Sequence, residues 1–203
     1  IYLKSSYHLI FGYPQKDIKN NVIVITGAAH GLGRELAKLL AAKQAKIGLI
    51  DVNKTNCINV EKEIEASGGI AKGYHCDITD EINLKKTINK IENDLGPIDI
   101  LINNAGVTNC LVFDDISPEK VRKTFEVNTF AHFWSIQAVL KQMIDRKKGH
   151  IVAISSIAGL IGTTNLVDYC ASKFATVGLM EALDQEIHQN GKNLEICLTT
   201  ICP

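Results

Sequence analysis

Short β-branched apolar runs alternate with longer amphipathic stretches along nearly the whole chain of 203 residues, and no other feature restricts its fold as much. Strand-length runs separated by helix-length ones build βαβ units, which close into a parallel sheet with helices on both faces. Val22 to Thr26, Lys46 to Asp51, Ala71 to Cys76, Ile98 to Ile102, His150 to Ile154 and Leu194 to Ile201 read as six strands. Between them the spacing predicts helices over about Gly31 to Lys43, Lys54 to Ala66, Glu81 to Asp94 and Val167 to Gln189. A long helical region covers Pro118 to Arg146, with Ser117 as N-cap ahead of a proline in the first turn. Gly68-Gly69, Gly96-Pro97 and Asn190-Gly191 close helices, because glycine and proline interrupt helical geometry. No linker or repeat divides the pattern. The expectation is one doubly wound α/β domain over residues 21–203, strand order 3-2-1-4-5-6, cut short before a last strand, with a segment of residues 1–20 ahead of it.

Charge and cysteine usage narrow the partners. Lys plus Arg and Asp plus Glu both number 22, so the basic surplus that nucleic-acid binding needs is absent. The six cysteines, Cys57, Cys76, Cys110, Cys170, Cys197 and Cys202, form no C-x-x-C pair and sit at no zinc-ligand spacing, and several lie in apolar runs. They read as reduced thiols, with no metal site. Ile1 to Tyr13 falls well short of the roughly 20 apolar residues that a spanning helix requires. The chain opens on Ile1 and closes on Pro203 just after a strand-like run, which reads as a piece lacking both termini.

The first strand runs straight into Thr26-Gly27-Ala28-Ala29-His30-Gly31-Leu32-Gly33. Glycines between a strand and a helix let backbone approach a pyrophosphate closely, and the helix N-terminus then offers free N–H groups and a positive dipole. A glycine cluster can also be a packing device, but Asp51 closes the second strand, where a carboxylate meets the hydroxyls of an adenine ribose. Together they point to a dinucleotide, NAD being favoured because Asp51 repels the extra phosphate of NADP. Arg34 and His30 lie close enough in sequence to soften that repulsion, which leaves NADP open. Asp77 closes the third strand and Asn103-Asn104-Ala105-Gly106 the fourth, at the carboxyl edge where open sheets bind ligands. Asp77 is placed to accept from the adenine amine or, equally well, to brace the strand ends. Asn104, Ala105 and Gly106 read equally well as bracing or as cofactor contacts.

Tyr169 and Lys173 are four residues apart on a predicted helix and share a face. A phenol that transfers protons near neutrality must titrate about 3 units below its ordinary value, roughly 4 kcal/mol, and a fixed ammonium favours the phenolate. Ser155-Ser156 follows the fifth strand; Ser156 is placed to orient a substrate oxygen, whereas Ser155 belongs to the strand end. Asn128 lies mid-helix against its propensity, a position from which its amide can hold a proton-relay water near Lys173.

In these motifs the chain resembles the short-chain dehydrogenase/reductase family over nearly its whole length. Thr26-Gly27-x-x-x-Gly31-x-Gly33 is similar to its cofactor turn, Asn103-Asn104-Ala105-Gly106 to its structural motif, and Asn128, Ser156, Tyr169 and Lys173 fall in the order and spacing of its catalytic tetrad. Phe125-Glu126-Val127-Asn128 through Ala131-His132-Phe133-Trp134 and Tyr169-Cys170-Ala171-Ser172-Lys173-Phe174-Ala175 resemble the branch that holds epidermal retinol dehydrogenase and 17-beta-hydroxysteroid dehydrogenases of types 11 and 13. The resemblance implies a Rossmann fold and hydride transfer between NAD(P) and a lipophilic alcohol or its carbonyl. Tyr169 would be the acid/base, and Thr26, Gly27, His30, Gly31, Leu32, Gly33, Asp51, Asp77, Asn104, Ala105, Gly106, Tyr169 and Lys173 would hold the cofactor. It further implies a homo-oligomer and a cytosol-facing place on endoplasmic reticulum or lipid droplets through an N-terminal anchor outside this sequence. A catalytically silent dinucleotide-binding scaffold is the competing reading; a gap in the tetrad would favour it, and none is present. A nucleotide-binding transferase would explain the glycines and Asp51 but not Tyr169 and Lys173.

Overall fold

A computed structural model describes residues 16–189 and 195–203. Six strands form one sheet in the order β3-β2-β1-β4-β5-β6: β1 (Val22–Thr26), β2 (Lys46–Asp51), β3 (Ile70–His75), β4 (Ile98–Asn103), β5 (Lys148–Ile154) and β6 (Glu195–Ile201). Every neighbouring pair is parallel. Six helices connect and cover them: α1 (Gly31–Ala42), α2 (Lys54–Ala66), α3 (Glu81–Leu95), α4 (Pro118–Phe125), α5 (Ala131–Asp145) and α6 (Val167–Gln189).

The sheet is buried on both faces, and β1 shows how. Its side chains alternate between faces, so Val22 and Val24 join the core under α3, α5 and α6, whereas Ile23 and Ile25 join the core under α1 and α2. A strand apolar at every position is what two covered faces demand. Ile23, Ile25, Ile47 and Leu49 are fully buried; replacing one by Ala costs roughly 2–5 kcal/mol against a typical total of about 5–15, so these positions fix the scaffold that aims the site. Met143 is core as well and Trp134 packs against it, but Phe133 is exposed.

Local chemistry sets the helix starts. Asn53 accepts from the Asn56 N–H, Asp80 from the Asn83 N–H and Ser117 from the Lys120 N–H, with Pro118 in the first turn, satisfying donors that would otherwise be orphaned. α1 differs: its N-cap, His30, makes no side-chain capping bond.

The structure departs from the sequence-based expectation in few places. β3 starts one residue early, at Ile70, which pairs with Lys46, and β5 starts at Lys148, which pairs with Glu195. Leu194 and Asn190-Gly191 lie outside the described residues, as does the 1–13 tail. The region Pro118 to Arg146 is not one regular helix: Glu126–Phe130 forms a π turn between α4 and α5. Asn128, read as mid-helix, therefore sits in that turn, where the extra residue spares its amide the usual helical environment. Beyond β6 the chain runs alongside the exit of β5, the Ile157 N–H donating to the Pro203 carbonyl at 2.8 Å. All six cysteines are free thiols.

Candidate active site

The glycine turn is held by fitted backbone. Gly27 has φ +64°, and a Cβ there would lie 2.8 Å from Ala105 Cα. A Cβ on Gly33 would lie 2.2 Å from the Gly27 carbonyl oxygen and 2.6 Å from Asn104 Nδ2, so neither position admits a side chain. Gly31 has φ +53° in open space and needs glycine for conformation alone. Asn104 locks the turn across the strands: Nδ2 donates to the carbonyls of Thr26 at 2.9 Å and Gly27 at 3.1 Å. Thr26 Oγ1 in return accepts from the N–H groups of Asn104 at 3.0 Å and Ala105 at 3.2 Å. The Asn-Asn-Ala-Gly segment is thus a brace, and its Asn104, Ala105 and Gly106 also line the crevice.

That crevice, of about 570 Å³, runs over the carboxyl ends of β1 to β4 between the turn and Val127, a volume suited to a drug-sized or cofactor-sized ligand. His30, Gly31, Leu32, Asp51 and Asp77 line it too. Asp51 is 4% exposed; one oxygen accepts from the Ala29 N–H at 3.0 Å and the other from the Asn53 N–H at 2.9 Å. Those two bonds aim the carboxylate and leave lone pairs for a ligand's hydroxyls. His30 Nδ1 stands 3.7 Å away. Arg34 is engaged elsewhere, by Glu35 and Glu63. At the far wall, burial pushes the Asp77 carboxyl up, but bonds from the Thr79 N–H and hydroxyl, with Lys123 at 3.8 Å, outweigh it and hold the group below its ordinary value. Sequence reasoning did not anticipate Val52, Ile78 and Lys123 in the lining. Val52 and Ile78, each directly after a strand-end acid, carried the available signal.

Lys173 lies next to Gly106, just outside the lining of the crevice. A Cβ built on Gly106 would lie 3.6 Å from Lys173 Nζ and 3.5 Å from Asn128 Oδ1. Lys173 is 3% exposed, donates to the Ile154 carbonyl at 2.8 Å, and stands 5.7 Å from the centre of the Tyr169 ring. Burial pushes its ammonium down to about 8, against a small opposing effect of Cys202. Tyr169 is half-buried, and among the described residues its hydroxyl has no hydrogen-bond partner. Ser156 is half-buried and accepts from the Ala158 N–H at 3.2 Å. Ser155 belongs to the strand end: its N–H donates to the Ile201 carbonyl and its hydroxyl to the Lys173 carbonyl.

Asn128 is fully buried, and its amide is occupied. Oδ1 accepts from the Val107 N–H at 2.8 Å, and Nδ2 donates to the Val107 carbonyl at 2.9 Å and to Ser172 Oγ at 3.0 Å. The contacts make it a brace between the loop after β4 and α6. Beneath it His132 is buried, its imidazole pushed down to about 3 by burial and then by the Lys173 charge, and so neutral at pH 7.

Residues 21–203 match the short chain dehydrogenase family. The chain is 38% identical to mouse epidermal retinol dehydrogenase 2 over 97% of its own length and 63% of the relative's. It is 33% identical to human 17-beta-hydroxysteroid dehydrogenase 13, over 100% and 67%. The chain therefore spans roughly two thirds of the length of such relatives. Among solved structures, a metagenomic short-chain oxidoreductase in complex with NADP superposes with a TM-score of 0.86 at 29% identity, covering 93% of this chain and 84% of the other. A short chain dehydrogenase/reductase from Burkholderia phymatum in complex with NAD gives 0.88 at 27%, covering 93% and 67%. Fold, glycine turn and comparisons agree, and this chain belongs to the short-chain dehydrogenase family.

Proposed function

We propose that the intact protein interconverts a lipophilic alcohol and its carbonyl with NAD as cofactor and Tyr169 as the proton-transferring group. One observation carries this: Gly106 lines the crevice, Lys173 Nζ lies 3.6 Å from where its Cβ would stand, and that ammonium stands 5.7 Å from the centre of the Tyr169 ring. A silent scaffold would have no use for a lysine buried at that junction.

Gly27, Gly31 and Gly33 clear space for phosphates at the uncapped start of α1. Asp51 would take ribose hydroxyls and disfavour an added phosphate, which selects NAD over NADP. When bound, the nicotinamide supplies a hydride acceptor for alcohol oxidation and a donor for the reverse. Tyr169 as phenolate removes the substrate hydroxyl proton while the carbinol hydrogen leaves as hydride, and as phenol it returns that proton on reduction. Lys173 favours the phenolate by charge, and Ser156 holds the substrate oxygen. Asn128 contributes by fixing Val107 and Ser172, and any relay water it serves must use atoms other than its occupied amide.

The retinol- or steroid-like class of substrate rests on the relatives' names. Attachment to endoplasmic reticulum or lipid droplets and a homo-oligomeric state rest on family resemblance; among the described residues no helix is long and apolar enough to cross a membrane. Tyr169→Phe in the intact protein is expected to lower kcat by about 10²–10⁴, the usual range for general acid–base catalysis, with the Kd for NAD changed less than about twofold. Turnover of retinol or steroid alcohols at the wild-type rate would reject the reading.

A further inference from the structure

Asp168 is a buried carboxylate that the proposed chemistry does not use. It lies one residue before Tyr169 in the first turn of α6 and is 5% exposed. Its Oδ2 accepts from Asn109 Nδ2 at 2.7 Å and from the Thr124 hydroxyl at 2.7 Å, and Asn109 Nδ2 also donates to Thr124 Oγ1 at 3.0 Å. Three segments meet in this triangle: the loop after β4 through Asn109, α4 through Thr124, and α6 through Asp168. A buried charge is costly unless hydrogen bonds compensate it. Burial does push this carboxyl up, but Thr124, Asn109 and the backbone N–H of Tyr169 outweigh it and keep the group ionised.

The loop so tied is the one that leaves the crevice. Val107 lines the crevice and is pinned by Asn128; two residues on, Asn109 is pinned by Asp168. Just beyond the second tie, Val112 and Phe113 stand 57% and 66% exposed, with Leu111 half-buried. Bulky apolar side chains held outward just past the tied loop make a wall that an apolar molecule would cover.

We infer that Asp168 is a positioning residue that latches the loop of residues 107–113 to the turn carrying Tyr169, so that Leu111, Val112 and Phe113 form a fixed apolar wall for the substrate. The inference rests on the proposed dehydrogenase reading for the substrate, but the latch can be tested apart from it.

Asp168→Asn keeps an acceptor oxygen but takes the charge out of both bonds, and Asn109→Ala removes the partner from a half-buried loop site with little risk to folding. In the intact protein, amide hydrogen exchange of Val107, the loop N–H that bonds Asn128 Oδ1, should quicken about tenfold in both variants. The exchanged pair Asn109→Asp with Asp168→Asn restores donor to acceptor and should recover most of the protection. With a retinol- or steroid-sized alcohol, KM should rise about tenfold in each single variant, while KM for a short alcohol and the Kd for NAD stay within about twofold. Unchanged exchange, no recovery in the exchanged pair, or equal losses on short and long alcohols would overturn the latch. Wild-type protein inactive on every alcohol would instead defeat the dehydrogenase reading, and the exchange data would still decide the latch.

Discussion

The two ends of the crevice are built on different principles. At the glycine-turn end the working parts are backbone: Gly27 and Gly33 stand where a Cβ would strike Ala105 and the Gly27 carbonyl, and one side chain, Asn104, ties two carbonyls of the turn. At the proposed reaction end, next to Gly106, the working parts are side chains drawn from distant segments. Among the described residues the Tyr169 hydroxyl has no hydrogen-bond partner, Lys173 is buried with its charge pushed toward neutrality, and Asn128 and Asp168 pin the loop after β4. The first end is fixed backbone, with the Asp51 carboxylate aimed by two N–H groups. The second contains groups that titrate and a loop whose position depends on a few polar bonds. A family that keeps its cofactor and varies its substrate needs this division, because a rigid phosphate cradle can be reused while the side-chain end is rebuilt.

The division can be broken from the rigid end first. Gly33→Ala forces a methyl into the Gly27 carbonyl and should raise the Kd for NAD by about 100-fold or more, roughly 3 kcal/mol, measured by quenching of protein fluorescence. With cofactor saturating, kcat should fall less than about threefold; a kcat that fell as far as affinity would mean that the two ends are not separable. A smaller effect sharpens the charge argument. Asp51→Asn keeps an acceptor oxygen for a backbone N–H but loses the negative charge. The preference for NAD over NADP in kcat/KM should fall about tenfold, or 1.4 kcal/mol. An unaltered preference would show that the carboxylate is not what discriminates.

A third effect separates the ends by acid sensitivity. His132 has an ordinary value of 6.5 and is held at about 3 in the folded chain. As pH falls below about 6.5 the unfolded chain takes up a proton that the folded chain refuses, so stability is lost at up to about 1.4 kcal/mol per pH unit until pH reaches about 3. Above about 6.5 the group has no influence on the pH dependence. Urea unfolding at pH 7 and pH 5 should therefore show a drop larger by about 2 kcal/mol in wild type than in His132→Gln. Equal drops would mean that the imidazole is not kept neutral by its surroundings.

The same contrast governs what could be read from the sequence. The glycine-turn end was legible because its constraints are local: glycines where φ is positive or a Cβ has no room, an acid at a strand end, apolar runs that alternate between two covered faces. The parallel sheet followed from those runs, the strand order from the doubly wound pattern they imply, and the structure has both. Tyr169 and Lys173 were legible as a pair because helical spacing puts them on one face. What joins them to the rest was not. The π turn at Glu126–Phe130 reads as ordinary helix by periodicity, and its cause is tertiary, in the bonds of Asn128 to Val107 and Ser172. Asp168, Thr124 and Asn109 lie 44 and 59 residues apart, and no spacing rule connects residues of different segments. Asp168 alone carried a weak sign, an acid in the first turn of a helix, which helix-dipole chemistry explains without any latch.

The central claim, that one crevice joins the glycine turn to Tyr169, is tested most directly by a crystal structure of the intact protein with NAD. The account predicts the pyrophosphate on the N–H groups at the start of α1, the adenine ribose on Asp51, and the nicotinamide ribose on Lys173 with the ring beside the Tyr169 hydroxyl. A nicotinamide ring on the Asp77 and Lys123 side, away from Tyr169, would contradict it.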